Sequence, residues 1–348
     1  MNGQVTLKKI AEVCGLSVAT VSQIINNRPN NYSSEKTKTL VLNTARDLGY
    51  RKNFVYSLMH GEKTHTVALM VHMHRGMHEE YLRDLIIRIA QLLEERNYTC
   101  YVAALGQDGE ENVRKTREYL SRGVGCFILL NNPVGYEKIA DLIERSGALL
   151  TGISDRCRRY VMIDCRQPFK ELIAYVRSHA GENYRFLTRK DSFQSLRWSV
   201  FRELYPELSQ EELQKVYFRF LEPFDENPEL FQEQAFSAGF HTARNILQQE
   251  PAVKALICVN DAFAVGAAAG VRHSGKTVGK DIIITGFNND SALRYHPDPV
   301  STIDLNWDKH VEALVDYAVN KTPCQLKFQA RLILRDLHSS QYASLQFQ

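Results

Sequence analysis

The sequence lacks the cysteine spacing typical of disulfide-rich and zinc-binding proteins. Its seven cysteines include no C-x-x-C pair and are scattered along 348 residues. We expect them to be reduced, with neither a disulfide framework nor a zinc site. The sequence also has no apolar run near the ~18 residues of a membrane span, and its start has no signal-peptide pattern. These absences predict a cytoplasmic protein with no membrane partner.

Sequence motifs of catalysis are missing as well. The chain has no P-loop, G-x-G-x-x-G, H-E-x-x-H or G-x-S-x-G segment, so phosphate binding, dinucleotide binding and hydrolysis lack a recognisable site. We therefore expect a protein that is not an enzyme and that uses no cofactor.

Charge is divided unevenly along the chain. Residues 1 to 65 contain nine Lys or Arg and four acidic residues, a net charge of +5, whereas the whole chain carries +3, which leaves −2 for the remainder. A basic N-terminal part on a slightly acidic body is expected where the N-terminus binds a polyanion. A solvated charged surface would give the same count.

The first 50 residues have the pattern of three short helices. Thr6 can cap the first helix and Gly15 ends it, Ser17 can cap the second, and Ser33 or Ser34 can begin the third. Two helices joined by a short glycine turn form a helix-turn-helix, whose second helix enters the major groove of DNA. The alternative is an ordinary corner of two core helices, which rarely forms a basic N-terminal unit of its own.

From Thr66 onward the pattern changes to short apolar runs separated by amphipathic stretches. Continuous apolar runs are typical of parallel strands covered on both faces by helices. About nine runs exceed one sheet, so the pattern predicts two doubly wound α/β lobes. The runs are 67–71, 98–104, 126–130, 148–153, 160–163, 184–187, 216–221, 255–259 and 282–287, and the alternating segment 325–336 predicts one late strand.

Several motifs together resemble the lactose and galactose repressor (LacI/GalR) family over essentially the whole chain. The segments V-N-D at 259–261, G-F-N-N at 286–289 and P-V-S-T at 299–302 are similar to the family's A-N-D, G-F-D-D and P-x-[LT]-T-T. The family's opening pattern is matched at Val5, Thr6, Leu7, Ile10, Ala11, Gly15, Ser17, Thr20, Val21, Ser22 and Asn26, and then at Leu48, Gly49, Tyr50 and Arg51.

The resemblance implies an all-α helix-turn-helix head followed by a two-lobed α/β sensor domain. The sensor would be periplasmic-binding-protein-like, with doubly wound parallel sheets. The implied boundaries are 1–52 for the head, 53–64 for a hinge helix or linker, and 65–348 for the effector-binding domain. Lobe 1 would comprise about 65–164 plus 305–324, and lobe 2 about 165–304 plus 325–340.

Two departures from the family pattern concern DNA reading. Gln23 stands where the family usually has an arginine that contacts guanine, and glutamine prefers adenine. Leu58, in V-Y-S-L, is the nearest match to the family leucine that wedges into the minor groove; a linker in which Leu58 has no specific role is the alternative. The candidate DNA-binding residues are Thr6, Ser17, Val18, Ala19, Thr20, Ser22, Gln23, Asn26, Tyr50 and Leu58.

The resemblance also implies an effector site between the lobes, where the carboxyl ends of the strands meet. Arg197 stands where the family supplies a cleft arginine, and Asn288 where it has an effector-binding aspartate. Aromatic side chains could stack on a ring. For the polar residues, turn capping is the alternative. The candidate effector-binding residues are Arg197, Asn260, Asp261, Asn288, Trp307 and Phe224.

The sequence leaves the effector open between a sugar, a sugar derivative and an anionic ligand. Gly152 and Asn288 stand where sugar-binding relatives often carry acids. Arg156, Arg158 and Arg159 follow the strand at 148–153 and could bind a carboxylate or phosphate, or they could form an exposed basic loop.

A histidine-rich segment follows the first strand of the sensor. His72, His74 and His78 lie near two methionines and could bind a soft or borderline metal. His72 and His74 point oppositely in an extended segment and no thiolate joins them, so no metal site is assigned.

These features predict a sequence-specific transcriptional regulator, a repressor or an activator, that binds an inverted-repeat operator as a homodimer and responds to a small polar effector. By the resemblance, the helix at about 79–96 is the candidate dimer face. A ligand-independent regulator with a degenerate cleft is one alternative. A solute-binding protein would have no use for the helix-turn-helix, and a sugar-modifying enzyme would need an acid and base pair that the sequence does not show.

Overall fold

The computed structural model describes residues 5–26, 32–50, 64–72, 80–154, 156–188, 196–220, 231–320 and 325–335. The chain divides into two units, Met1–Thr64 and His65–Gln348. Within the described ranges, no helix combines the length and the apolar character needed to cross a membrane.

In its described residues, the N-terminal unit contains three helices around a small apolar core. They are α1 Leu7–Cys14, α2 Val18–Ile25 and α3 Glu35–Asp47. Each begins after a hydroxyl side chain that accepts a backbone N–H three residues on, and these caps are Thr6, Ser17 and Ser34. Gly15 ends α1 with a φ of 67°. The core residues are Ile10, Ala11, Val21, Ile24, Val41 and Ala45.

The second unit is an α/β structure with two six-stranded sheets in the described part of the chain. Its strands are β1 Thr66–His72, β2 Thr99–Leu105, β3 Cys126–Leu129, β4 Leu149–Gly152, β5 Tyr160–Asp164, β6 Tyr184–Thr188, β7 Phe218–Phe220, β8 Ala255–Cys258, β9 Ile283–Thr285, β10 Val300–Asp304, β11 Gln325–Gln329 and β12 Arg331–Ile333. Its helices are α4 Glu80–Glu95, α5 Gly109–Ser121, α6 Tyr136–Arg145, α7 Arg166–Ala180, α8 Leu196–Leu204, α9 Gln210–Tyr217, α10 Phe231–Gln249, α11 Asp261–His273 and α12 Trp307–Asn320.

The strand orders are β11-β5-β4-β3-β1-β2 in the first sheet and β12-β10-β9-β8-β6-β7 in the second. All of these neighbours are parallel except β10 and β12, which are antiparallel. Both faces of β1 are buried, because Val67 and Leu69 pack into one core while Ala68 and Met70 pack into the other. The predicted fold class, a helix-turn-helix head with doubly wound parallel sheets, is confirmed.

Two details of the predicted strands differ from the structure. The strand predicted at 216–221 starts two residues too early: α9 extends to Tyr217, and Phe218–Phe220 pair with β6. A capping box between Ser209 and Glu212 starts this helix, and its last turn includes residues that the apolar pattern had assigned to the strand.

The boundary of the lobes was wrong at the late strand. The sequence pattern predicts the whole alternating segment in lobe 2, but Gln325–Gln329 pairs with β5 in the first sheet and only Arg331–Ile333 joins the second. The chain passes between the sheets at Ala330, which is buried. Alternation indicates a strand with one exposed face, but it carries no information on which of two sheets receives that strand.

Within the described ranges, three segments therefore connect the two sheets. They run from β5 to α7, from β10 to α12, and from β11 to β12. The third is fixed to the first, because the Ala330 N–H donates to the Asp164 carbonyl at 3.1 Å. Such connections are where two lobes of this kind move relative to each other.

Candidate functional site

The exposed face of α2 is the first candidate site. Val18, Ala19 and Gln23 are exposed, whereas Val21 and Ile24 on the opposite face are buried in the core of the head. The Gln23 side chain makes no hydrogen bond within the described part of the chain. The core holds α2 in place and leaves these three side chains available to base edges, which is the arrangement that major-groove reading requires.

Hydroxyl groups fix the two ends of α2. The Ser17 hydroxyl accepts the Thr20 N–H at 3.0 Å and lies 2.8 Å from the Thr20 hydroxyl. At the other end, the Asn26 side-chain amide donates to the Ser22 hydroxyl at 3.2 Å. Four of the predicted DNA-binding residues therefore stabilise the ends of α2 through these hydrogen bonds. Contact with a DNA phosphate would be an additional role for them.

The remaining DNA-binding candidates lie at other places. Thr6 is exposed at the start of α1, and Tyr50 is half-buried against the core of the head, where its N–H donates to the Ala45 carbonyl at 2.8 Å. Leu58 lies outside the described residues.

The second candidate site is a cavity of about 650 Å³ in the sensor unit. Both lobes contribute to it: α4 and α12 come from lobe 1, while the turn after β9, the end of β10 and the strand β12 come from lobe 2. Its size suits a small molecule. The lining residues are Asp84, Leu85, Arg88, Asn288, Asn289, Asp290, Ser291, Asp304, Asn306, Trp307, Asp308, Val311, Arg331 and Ile333.

Two of the predicted effector-binding residues line this cavity. Asn288 has a φ of 107° and its N–H donates to the Ile303 carbonyl at 2.9 Å, so its backbone is anchored to β10. Trp307 begins α12 and is half-buried, with its ring 5.8 Å from that of His310. An amide and an indole on one wall offer polar contacts and a stacking surface.

Three predicted residues do not line the cavity and make structural contacts instead: Arg197, Asn260 and Asp261. Arg197 donates to the Val259 carbonyl, and its guanidinium lies 3.9 Å from the centre of the Phe287 ring. Asn260 caps α11 by accepting the Phe263 N–H at 3.2 Å. Turn capping, the alternative reading of Asn260, is thus its observed geometry. Phe224, the sixth candidate, lies outside the described residues.

Asp261 is buried beneath the cavity wall and connects neighbouring elements through hydrogen bonds. Its carboxylate accepts the Thr302 hydroxyl at 2.8 Å and the Asp290 N–H at 2.7 Å. Burial raises the pKa of Asp261 to about 6, although both hydrogen bonds act in the opposite direction. Gly286 lies directly against it, and a Cβ there would be 2.1 Å from the carboxylate oxygen. Asp261 thereby joins α11, the turn at 288–290 and β10.

Sequence reasoning missed most of the polar lining. Asp304 and Arg331 form an ion pair of 2.6 Å on the cavity wall, and Asn306 is beside them. Asp84 and Arg88 face the same cavity from α4, one helical turn apart. The alternating pattern of charged residues near 331 was the only available signal, and it did not show which lobe the segment joins.

The arginine-rich loop and the histidine segment contribute no described contact to this cavity. Arg156 pairs with Glu137 at 2.9 Å and lies over the Tyr136 ring, away from the lining residues. His72 is buried at the end of β1, and burial lowers its pKa. His74 and His78 lie outside the described residues. Within the described ranges, no group of three or more potential metal ligands comes together.

A helix-turn-helix unit and a two-lobed α/β unit with a cavity in one chain define a class of DNA-binding regulator. The family of bacterial regulatory proteins of the lacI type matches residues 6–53, and the periplasmic binding protein-like domain matches residues 185–329. The matches assign the head to the lacI family of bacterial regulatory proteins, and the whole chain is similar to regulators of that family.

Similar proteins agree with this assignment over nearly the whole chain. An HTH-type transcriptional regulator of Lachnoclostridium phytofermentans is 23% identical over 88% of both chains. The regulator AscG of Escherichia coli is 22% identical, covering 95% of this chain and 97% of its own. These relatives are transcriptional regulators rather than enzymes.

Solved structures share the fold. The Lac repressor dimer bound to operator and the anti-inducer ONPF matches with a TM-score of 0.71 at 18% identity, covering 96% of this chain and 99% of its own. The complex of the regulator CelR with cellobiose matches with a TM-score of 0.57 at 20% identity, again covering 96% and 99%.

Proposed function

We propose that this chain is a transcriptional repressor that binds an inverted-repeat operator as a homodimer and is controlled by a small, neutral, polyhydroxylated effector. The exposed α2 face carries the DNA-binding part of the proposal, because Ala19 and Gln23 stand clear of a helix that is capped and packed on its other side. The basic charge of the first 65 residues favours DNA further, since it attracts the phosphate backbone.

An in vitro selection of random DNA by the full-length protein at about 150 mM salt tests operator reading. We expect an inverted repeat in which each half-site requires adenine at one position, because glutamine bonds the N6 and N7 edge of adenine. Gln23→Arg should switch that position to guanine, with a discrimination of about 1–3 kcal/mol. Recovery of unspecific, salt-sensitive binding only would contradict the proposal.

The dimer is proposed to form on the face made by α4 and the neighbouring edge strand β2. Ile87 on α4 is 57% exposed, and Val102 on β2 is 52% exposed. Exposed branched apolar side chains on an edge strand and on a helix that contacts this strand favour a second copy of the chain, which would cover both.

Ile87→Arg is expected to weaken dimerisation about a hundredfold or more, because it places a charge in an apolar contact. Sedimentation over a range of protein concentrations measures the change. Leu326→Arg is the matched control: Leu326 is 41% exposed on β11, at the opposite edge of the same sheet. Equal effects of the two variants would rule out this face as the dimer contact.

The proposed effector is neutral because of the charges on the cavity wall. The described lining contains four carboxylates, Asp84, Asp290, Asp304 and Asp308, and two guanidiniums, Arg88 and Arg331. An anion would meet more repulsion than attraction there, and Arg156 of the arginine-rich loop is paired elsewhere. CelR, a protein of the same fold, has been solved in complex with cellobiose, a neutral sugar, which supports the proposal.

A further inference from the structure

The ion pair between Asp304 and Arg331 is accessible from the interlobe cavity. The Arg331 Nη2 lies 2.6 Å from the Asp304 Oδ2, and the two residues are register partners across the antiparallel pair β10 and β12. The Asp304 side chain is 15% exposed and that of Arg331 is 63% exposed. The pair is therefore held by the sheet on one side and open to a ligand on the other.

Both members keep unused hydrogen-bonding capacity. Arg331 makes this one side-chain hydrogen bond within the described residues, so its other guanidinium N–H groups remain available as donors. Asp304 accepts the Asn306 N–H at 2.8 Å as well as Arg331, and a carboxylate has about four acceptor positions. In contrast, Asp261 directs both carboxylate oxygens to protein donors.

The pair also lies where the chain passes between the lobes. Asp304 ends β10, three residues before Trp307 starts α12, and Arg331 begins β12, directly after the passage at Ala330. A ligand that bonds the pair would therefore contact two of the three connections between the sheets. Differential contact at a connection is what allows a ligand to favour one arrangement of lobes over another.

We propose that Asp304 and Arg331 are specificity-determining effector-binding residues, in which Arg331 donates to one hydroxyl of the ligand and Asp304 accepts from its neighbour. Trp307 lines the same cavity and would contact the apolar face of the ring. The inference rests on the proposed effector function of this cavity and assigns to it two residues from the end of β10 and the start of β12.

Calorimetric titration of the full-length protein with D-glucose, D-galactose and cellobiose tests the assignment, with D-glucuronate and glucose 6-phosphate as anionic counterparts. We expect a neutral sugar to bind the unmodified protein. Asp304→Asn and Arg331→Gln should each weaken that sugar about tenfold to a hundredfold, the range for losing a hydrogen bond to a charged group. Arg331→Lys should retain part of the affinity, because it keeps the charge without the planar fork.

Arg272→Gln is the matched control. Arg272 pairs with Asp298 in the same lobe at similar exposure, 45% and 13%, and neither residue lines the cavity. Its sugar affinity should stay within about twofold, and its melting temperature shows what the loss of one such pair costs in stability.

The outcomes separate the two ideas. If the unmodified protein binds a sugar and the Asp304 and Arg331 variants bind it as well as Arg272→Gln does, this assignment is overturned and the proposed function stands. If the protein selects an operator but binds none of the five compounds, the effector part of the proposed function fails, and this assignment fails with it.

Discussion

Replacing Ala19 with aspartate is expected to lower the affinity for the selected operator at least about a hundredfold. Ala19 is exposed in the first turn of α2, so the new carboxylate would face base edges and phosphates. Like charges placed together in an interface cost several kcal/mol, and each 1.4 kcal/mol is about tenfold in affinity. Fluorescence anisotropy of labelled operator at fixed salt measures the loss.

The variant should remain folded, which makes the loss interpretable. A carboxylate in the first turn of a helix is favoured by the helix macrodipole by about 0.3–1 kcal/mol. Leu42→Asp is the control, since Leu42 is 52% exposed on α3 and the substitution changes the charge of the head by the same amount. If both variants lose affinity equally, total charge rather than α2 governs binding and the assignment of the reading helix is wrong.

The head was predictable because its signals are local. Thr6, Ser17 and Ser34 each cap a helix from a position three residues before the N–H that they bind. Gly15 supplies the left-handed conformation that a short turn needs. None of these features depends on a distant part of the chain, so the order of residues alone determines them.

The sequence predicts that the sheets are parallel and covered by helices on both faces. It is less informative on which strands belong to which sheet. A continuous apolar run such as β1 can only be buried on both faces, which requires helices on each side. The segment after residue 325 carries no such constraint, because an edge strand with one exposed face fits either sheet. The burial of Ala330 and its hydrogen bond to Asp164 determine where this segment crosses from the first sheet to the second. Both are tertiary contacts that the sequence pattern does not reveal.

The effector site shows the same limit more strongly. Asn260 and Asp261 directly follow a strand, which is a common position for ligand-binding residues. Residues at the same position can instead cap a helix, as Asn260 does, or make buried hydrogen bonds, as Asp261 does. Asp304 and Arg331 are 27 residues apart in the chain and meet only through the pairing of β10 with β12. Sequence patterns identify residues that can do chemistry, and the pairing decides which of them share a cavity.

The largest expected effect on stability comes from removing the Asp261 carboxyl group. Asp261→Ala leaves the Asp290 N–H and the Thr302 hydroxyl without their buried acceptor, and one such group costs about 1–3 kcal/mol. We expect a loss of about 3 kcal/mol in the free energy of unfolding at pH 4.5, measured by urea denaturation. Asp261→Asn keeps the shape and one acceptor and should lose much less.

The same site gives a pH dependence whose sign is fixed. The pKa of Asp261 is raised from 3.8 to about 6 in the folded protein, so the folded state holds this proton more tightly than the unfolded state does. The stabilisation is fully present below pH 3.8 and is lost as the pH rises through 6, by about 2 kcal/mol between pH 4.5 and 7.5. Asp261→Asn has no such proton, so its stability relative to the unmodified protein should improve by that amount over this range. A difference that stays constant, or that moves the other way, would mean that Asp261 is ionised throughout and that the hydrogen bonds outweigh burial.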